Sequence, residues 1–175
     1  MSCEIRQLSR EEWEGKSFVF RYTTRHYLDI IPASCGFLIE EKTFDAELKK
    51  EFTDTLFSDW LSDPILLGAF VEDRLVGIVE GSMENWNKRF RISNLLVMEE
   101  GDRRCGIGSC LMEKMAEIAR GKGARMVILE TQSCNEKAIA FYRKQGFSII
   151  GFDLYSYSND DPGKHEVRLE MGRKL

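Results

Sequence analysis

The apolar stretch RFRISNLLVM (89–98) is followed by GDRRCGIGSCLMEK (101–114), and this join constrains the fold more than any other part of the chain. The first run has the composition of a strand. The second packs glycines and basic side chains together before a helical pattern in which Leu111, Met115, Ile118 and Ala119 share a face. Glycines let successive amides turn toward one point, and a new helix has unpaired N–H groups aimed the same way. With Arg103 and Arg104, the segment Cys105-Gly106-Ile107-Gly108-Ser109 therefore reads as an anion cradle suited to pyrophosphate, with an ordinary strand-to-helix loop as the alternative. No GK[ST] follows, so it is not a P-loop. Leu111 stands where a dinucleotide fingerprint needs its third glycine.

The elements around this join give a fold class. SREE (9–12) has the form of a capping box at the start of a short helix. Phe44, Leu48, Phe52, Leu56 and Trp60 recur every fourth residue, and Pro64 closes the run, which predicts an amphipathic helix there. ILLGAFVEDRLVGIVEGS (65–82) reads as a hairpin turning near Asp73 and Arg74. RMVILET (125–131) is continuous enough to be a strand buried on both faces. Asn135 caps a helix that Gly146 ends, and two further strands lie in 147–158 and 165–172. The order predicts one α/β domain over 1–175: a mixed, mostly antiparallel sheet with helices on its faces. Residues 1 to about 40 give no clear pattern. The alternating last strand, HEVRLEMG, reads as an edge open to a partner chain, so a homodimer is compatible with it.

Composition excludes more than it assigns. The net charge of −4 argues against nucleic acid or anionic membrane as a partner. The charged N-terminal stretch is not a signal peptide, and no apolar run is long enough to span a membrane. The five cysteines, Cys3, Cys35, Cys105, Cys110 and Cys134, form no CxxC pair, and the two histidines are far apart. Reduced thiols in a cytoplasm are expected, with no metal site.

Downstream of the cradle, Asn135, Ala138, Phe141, Tyr142, Gly146 and Phe147 stand in the pattern NxxAxxFYxxxGF. RxxGxG, a strand and then this pattern is the order found in Gcn5-related N-acetyltransferases, and residues 66–153 resemble that family. WN at 86–87, LETQ at 129–132, GFD at 151–153 and YSN at 157–159 make the resemblance greatest to the streptothricin acetyltransferases. The resemblance implies acetyl-CoA as co-substrate, bound where strands 91–98 and 125–131 splay apart. It implies that Leu95 and Val97, beside a bulge, hold the pantetheine like an added strand, that Arg103 to Ser109 take the pyrophosphate, and that Asn135 and Ala138 help to line the cofactor site. It places Tyr142 near the thioester sulfur as the acid.

An amine acceptor must lose a proton before it attacks. Glu130 in LETQ is the first candidate base; Glu80 on the hairpin and water remain open. Each candidate also has an ordinary structural reading: Asn135 as a helix cap, Tyr142 as a core tyrosine, either glutamate as a strand-end charge. Cys105 and Cys134 have no histidine nearby in sequence, which disfavours a covalent acyl-enzyme. One departure stands out. Streptothricin acetyltransferases carry acidic residues on the central strand where this chain has Ser93 and Asn94. The charges of SNDDPGKHE (158–166) read as a solvated loop or as a compensating acid, Asp160 or Asp161, near the acceptor. The expected activity is acetyl transfer to a primary amine of a small molecule, streptothricin-like in the first instance. The alternatives are a peptide, polyamine or protein amine, and a non-catalytic acyl-CoA-binding module.

Overall fold

The computed structural model describes residues 3–98 and 106–175. Among them are nine strands and four helices: β1 (Glu4–Leu8), α1 (Arg10–Trp13), β2 (Ser17–Ala33), β3 (Gly36–Thr55), β4 (Ile65–Val71), β5 (Arg74–Glu84), β6 (Arg89–Val97), α2 (Ile107–Gly121), β7 (Met126–Gln132), α3 (Glu136–Lys144), β8 (Ser148–Asp153), α4 (Asp161–Lys164) and β9 (Arg168–Lys174). The chain divides into two compact units, one of residues 1–20, 53–129 and 173–175 and the other of residues 21–52 and 130–172.

In the first unit the strand order is β1-β4-β5-β6-β7. The first three junctions are antiparallel and the last is parallel. The expected hairpin is β4–β5, with Glu72 and Asp73 both at positive φ in its tight turn, as a two-residue hairpin requires. The helix after the glycine loop is α2, which buries Leu111, Met115 and Ala119 of the predicted face, together with Met112 and Ala116, and leaves Ile118 half-buried. A methyl group on Gly77 would meet Ile107 and Leu111 of α2 at 3.2 Å, so that glycine lets the helix lie close on β5. The opposite face of the sheet carries a cluster of Leu56, Phe57, Leu66 and Ile78, with Trp13, Phe18, Leu96 and Met98 against it.

The second unit contains the order β7-β9-β8, with β8 and β9 antiparallel. The last strand is therefore interior: β9 sits between β7 and β8 and is not the open edge that its alternation suggested. Val167, Leu169 and Met171 are buried there with Ile139, Phe147, Leu28 and Ile30. Backbone bonds from Leu28 N–H to Ser133 O and from Ser133 N–H to Val167 O, at 2.9 and 2.8 Å, stitch this core.

Residues 17–55 depart most from the sequence expectation. They form a two-stranded ribbon of β2 and β3, and the predicted amphipathic helix does not exist. The error has a clear physical origin. A spacing of four is close to one helical turn and is also twice the strand repeat, so Phe44, Leu48 and Phe52 share a face in either conformation. Trp60, placed on the helical face, is 66% exposed. The strand signal lies in the other half of the ribbon: Phe18, Phe20, Tyr22, Thr24, His26, Leu28 and Ile30 alternate without a break, and all are half-buried or buried.

The short β5–β6 spacing yields a direct test. A Cβ on Gly81 would come within 2.5 Å of Phe90 Cε1 and 2.7 Å of the Arg91 carbonyl oxygen. Gly81→Ala is expected to destabilise the fold by about 1–3 kcal/mol through overpacking, measured as a lower denaturant midpoint at unchanged m value.

Candidate active site

In the first unit the parallel register of β6 on β7 runs from Arg89↔Met126 to Ile92↔Leu129 and ends there, while β6 itself continues to Val97. Its other edge stays paired to β5, with Val79 opposite Leu95 and Gly77 opposite Val97. The register passes from Glu80↔Asn94 to Gly81↔Ile92, so Ser93 is the extra residue of a bulge. Peptide groups cannot be left unsatisfied at no cost, and a strand edge that gives up its neighbour offers its amides and carbonyls to a ligand.

At the end of the same unit, α2 starts on Gly106 at φ +78°, a left-handed conformation that favours glycine. No side chain caps this end among the described residues, and its first turn carries no acidic group. Its dipole and leading amides are therefore suited to an anion, with Ile107 and Gly108 buried and Ser109 half-buried beneath. Arg103, Arg104 and Cys105 lie outside the described residues, as does the loop leading to them.

Glu80 is completely buried on β5. Its Oε1 accepts the Phe57 N–H at 2.6 Å, and its Oε2 accepts both the Ser93 hydroxyl and the Asn94 side-chain amide at 2.9 Å. The two residues that stand in place of the expected central-strand acids thus donate to an acid on the neighbouring strand.

In the second unit Glu130 lies on β7, half-exposed and paired with Arg168 Nη2 at 2.6 Å. Desolvation first, and then the Glu130 charge, push the phenol of Tyr157, which is still 47% exposed, above its ordinary range. Tyr22, on the ribbon, donates to Gln132 Oε1 at 2.5 Å and lies 3.4 Å from Cys134 Sγ. Burial raises the Cys134 thiol above its usual pKa, which further disfavours it as a nucleophile. None of Tyr22, Tyr157 and Arg168 was singled out as a site residue from the sequence. Alternation around Tyr22 and the YSN motif at 157–159 were the available signals.

Asn135 is the N-cap of α3, its side-chain oxygen accepting the Ala138 N–H at 3.3 Å. Ala138 is half-buried one turn before Tyr142. The Tyr142 ring packs between Phe141 and Phe147, with centroids 5.4 and 6.0 Å away, and desolvation pushes its hydroxyl up to about pKa 12. Phe147 is core, whereas Phe141 is only half-buried.

A model of the acetyltransferase (GNAT) family matches residues 9–147. The chain belongs to the GNAT acetyltransferase family. This acetyltransferase is 30% identical to the streptothricin acetyltransferase of Streptomyces lavendulae over 159 residues, covering 86% of this chain and 84% of that one. Nourseothricin acetyltransferase has the same fold with a TM-score of 0.78 at 27% identity, over 99% of both chains. A Bacillus anthracis protein assigned as a streptothricin acetyltransferase, solved with acetyl coenzyme A, superposes with a TM-score of 0.73 at 21% identity over 100% and 98%.

The segment 158–166 is exposed at Asn159, Asp160, Gly163 and Lys164, as a solvated loop would be, but not throughout. Asp161 is buried, its Oδ2 accepting the Tyr157 N–H at 2.7 Å and its Oδ1 the Ser158 hydroxyl at 2.6 Å, while Asp160 stays exposed. Burial opposes the charge, but these donors prevail and hold the carboxyl below the usual carboxylate range. A depressed folded-state pKa means a contribution that is complete above the unfolded value, about 3.9, and disappears as pH falls through the folded value. Asp161→Asn should therefore lower stability at neutral pH and flatten the loss of stability on acidification, read from thermal unfolding between pH 7 and pH 2.

Proposed function

We propose that this acetyltransferase moves an acetyl group from acetyl-CoA to a primary amine of a small, cationic, streptothricin-like molecule, by direct attack with both substrates bound. The observation that carries the reading is the extent of the likeness. It covers 99% of each chain with nourseothricin acetyltransferase, including the β2–β3 ribbon, whose first half showed no clear sequence pattern and whose second half was predicted to be a helix.

The chain's own groups fit the co-substrate. The edge of β6 beyond Ile92 suits the amide-bearing pantetheine arm, through Leu95 and Val97, and the α2 N-terminus from Gly106 suits its pyrophosphate. Acetyl-CoA supplies an acyl carbon activated as a thioester. The acceptor nitrogen forms a bond to that carbon, and the carbon–sulfur bond breaks. Glu130, or water held by it, takes the ammonium proton; Tyr142 returns a proton to the departing sulfur. With its hydroxyl pushed up to about pKa 12, Tyr142 stays protonated through the neutral range and serves as an acid without competing as a base.

Thiol release should be followed with streptothricin, lysine, a polyamine and an N-terminal peptide as acceptors. Streptothricin is expected to give the highest kcat/KM. Tyr142→Phe should lower kcat about a hundredfold with acetyl-CoA binding retained. The wild-type rate should show no alkaline fall assignable to Tyr142 below about pH 11, because that group is still protonated there. Turnover confined to peptides or polyamines would move the acceptor class, and binding of acetyl-CoA without turnover on any amine would overturn the catalytic reading.

A further inference from the structure

We infer that Glu80 is a positioning residue that holds the β6 bulge, and through it the pantetheine-binding edge, and is not the proton acceptor. This rests on the acetyl-CoA reading above, and its argument begins with the lone pairs of one carboxylate. Oε1 is taken by a backbone N–H at 2.6 Å and Oε2 by two side-chain donors at 2.9 Å, with no exposed surface left for an ammonium group to reach. A base needs an accessible lone pair. Glu80 offers none in this arrangement.

What it binds explains what it does. Ser93 is the inserted residue of the bulge and Asn94 is the residue after it, so Glu80 fixes both sides of the irregularity from the strand opposite. Immediately beyond are Leu95 to Val97, where β6 has run past the end of its pairing with β7. Bulges re-aim the strand that follows them, and an extra residue with no anchor can migrate along the ladder. Gly81 adds a second restraint, because β6 approaches it too closely for any side chain. The third donor ties in the segment after β3: Phe57 sits at φ +56°, unusual for a non-glycine residue, and its N–H is held by Glu80 while its ring enters the core cluster. One buried carboxylate thus fastens three backbone segments. It also accounts for Ser93 and Asn94, since an acid at either position would confront Glu80 with a like charge, whereas a hydroxyl and an amide donate to it.

The test compares Glu80→Gln with Ser93→Ala in the full chain. Glutamine keeps the shape but turns an NH₂ group toward at least one of the three donors; alanine removes a single donor and spares the buried carboxylate. Acetyl-CoA binding is measured by calorimetry, and backbone order by amide hydrogen exchange at Leu95, Leu96 and Val97 in the free protein. Glu80→Gln is expected to weaken acetyl-CoA binding and raise its KM roughly tenfold, and to speed exchange at all three amides, with the acid limb of the pH–rate profile unmoved. Ser93→Ala should do the same to a smaller extent, and decides the matter if the glutamine variant does not fold. Unchanged exchange and unchanged acetyl-CoA affinity in the folded variants overturn the positioning role, whether or not any amine is acetylated. Loss of the acid limb in Glu80→Gln at constant acetyl-CoA affinity would instead make Glu80 the base.

Discussion

The first unit depends on a strand that loses a neighbour part-way along its length. β6 is paired to β7 for four residues and then runs on to Val97 along β5, past the end of that register. Inside a sheet, every peptide group is expected to find a partner, so an edge opened in the middle of a sheet is costly unless something fills it. The remaining features of the first unit serve that opening. A bulge at Ser93 shifts the strand, Gly81 allows β5 and β6 to come close at the shift, and Glu80 fastens it from below. α2 then begins on a left-handed glycine, and the dipole of the helix gives that end positive potential.

The second unit follows a different logic. Its polar groups are largely satisfied by one another. Arg168 binds Glu130, Lys50 pairs with Glu166, and Asp161 gathers the Ser158 hydroxyl and a backbone amide. Such cross-linked charges fix side-chain direction more than they add stability, because much of each attraction is spent on desolvation.

The parts of this architecture legible in the sequence were those with a single periodicity. The α2 face, the β4–β5 hairpin, the Asn135 cap and the apolar run of β7 each fit one conformation only, and each stands where it was expected. Residues 44–52 fit two conformations equally, because a four-residue spacing satisfies both helix and strand, and pairing with β2 decided between them. The interior place of β9 was hidden for a related reason: alternation reports that one face is buried but says nothing about how many edges are paired. Near the candidate site, the start of α2 at Gly106 and the Asn135 cap were readable as local structure because their spacing is local. The Glu80 network was not, since it joins residues 23 and 14 positions apart that only the sheet register brings together.

The tip of the ribbon has a practical side. From Ile30 to Ile39 the chain carries no charged residue, and Phe37, Leu38 and Ile39 are all exposed, Phe37 at 52%. Natural strands with open edges usually carry a lysine or another charge there to keep chains apart. In this protein that safeguard is missing over ten successive positions, with the free thiol of Cys35 exposed among them. The hairpin tip thus joins an exposed apolar run to an exposed thiol, the combination through which copies of a chain stick to one another and cross-link in storage.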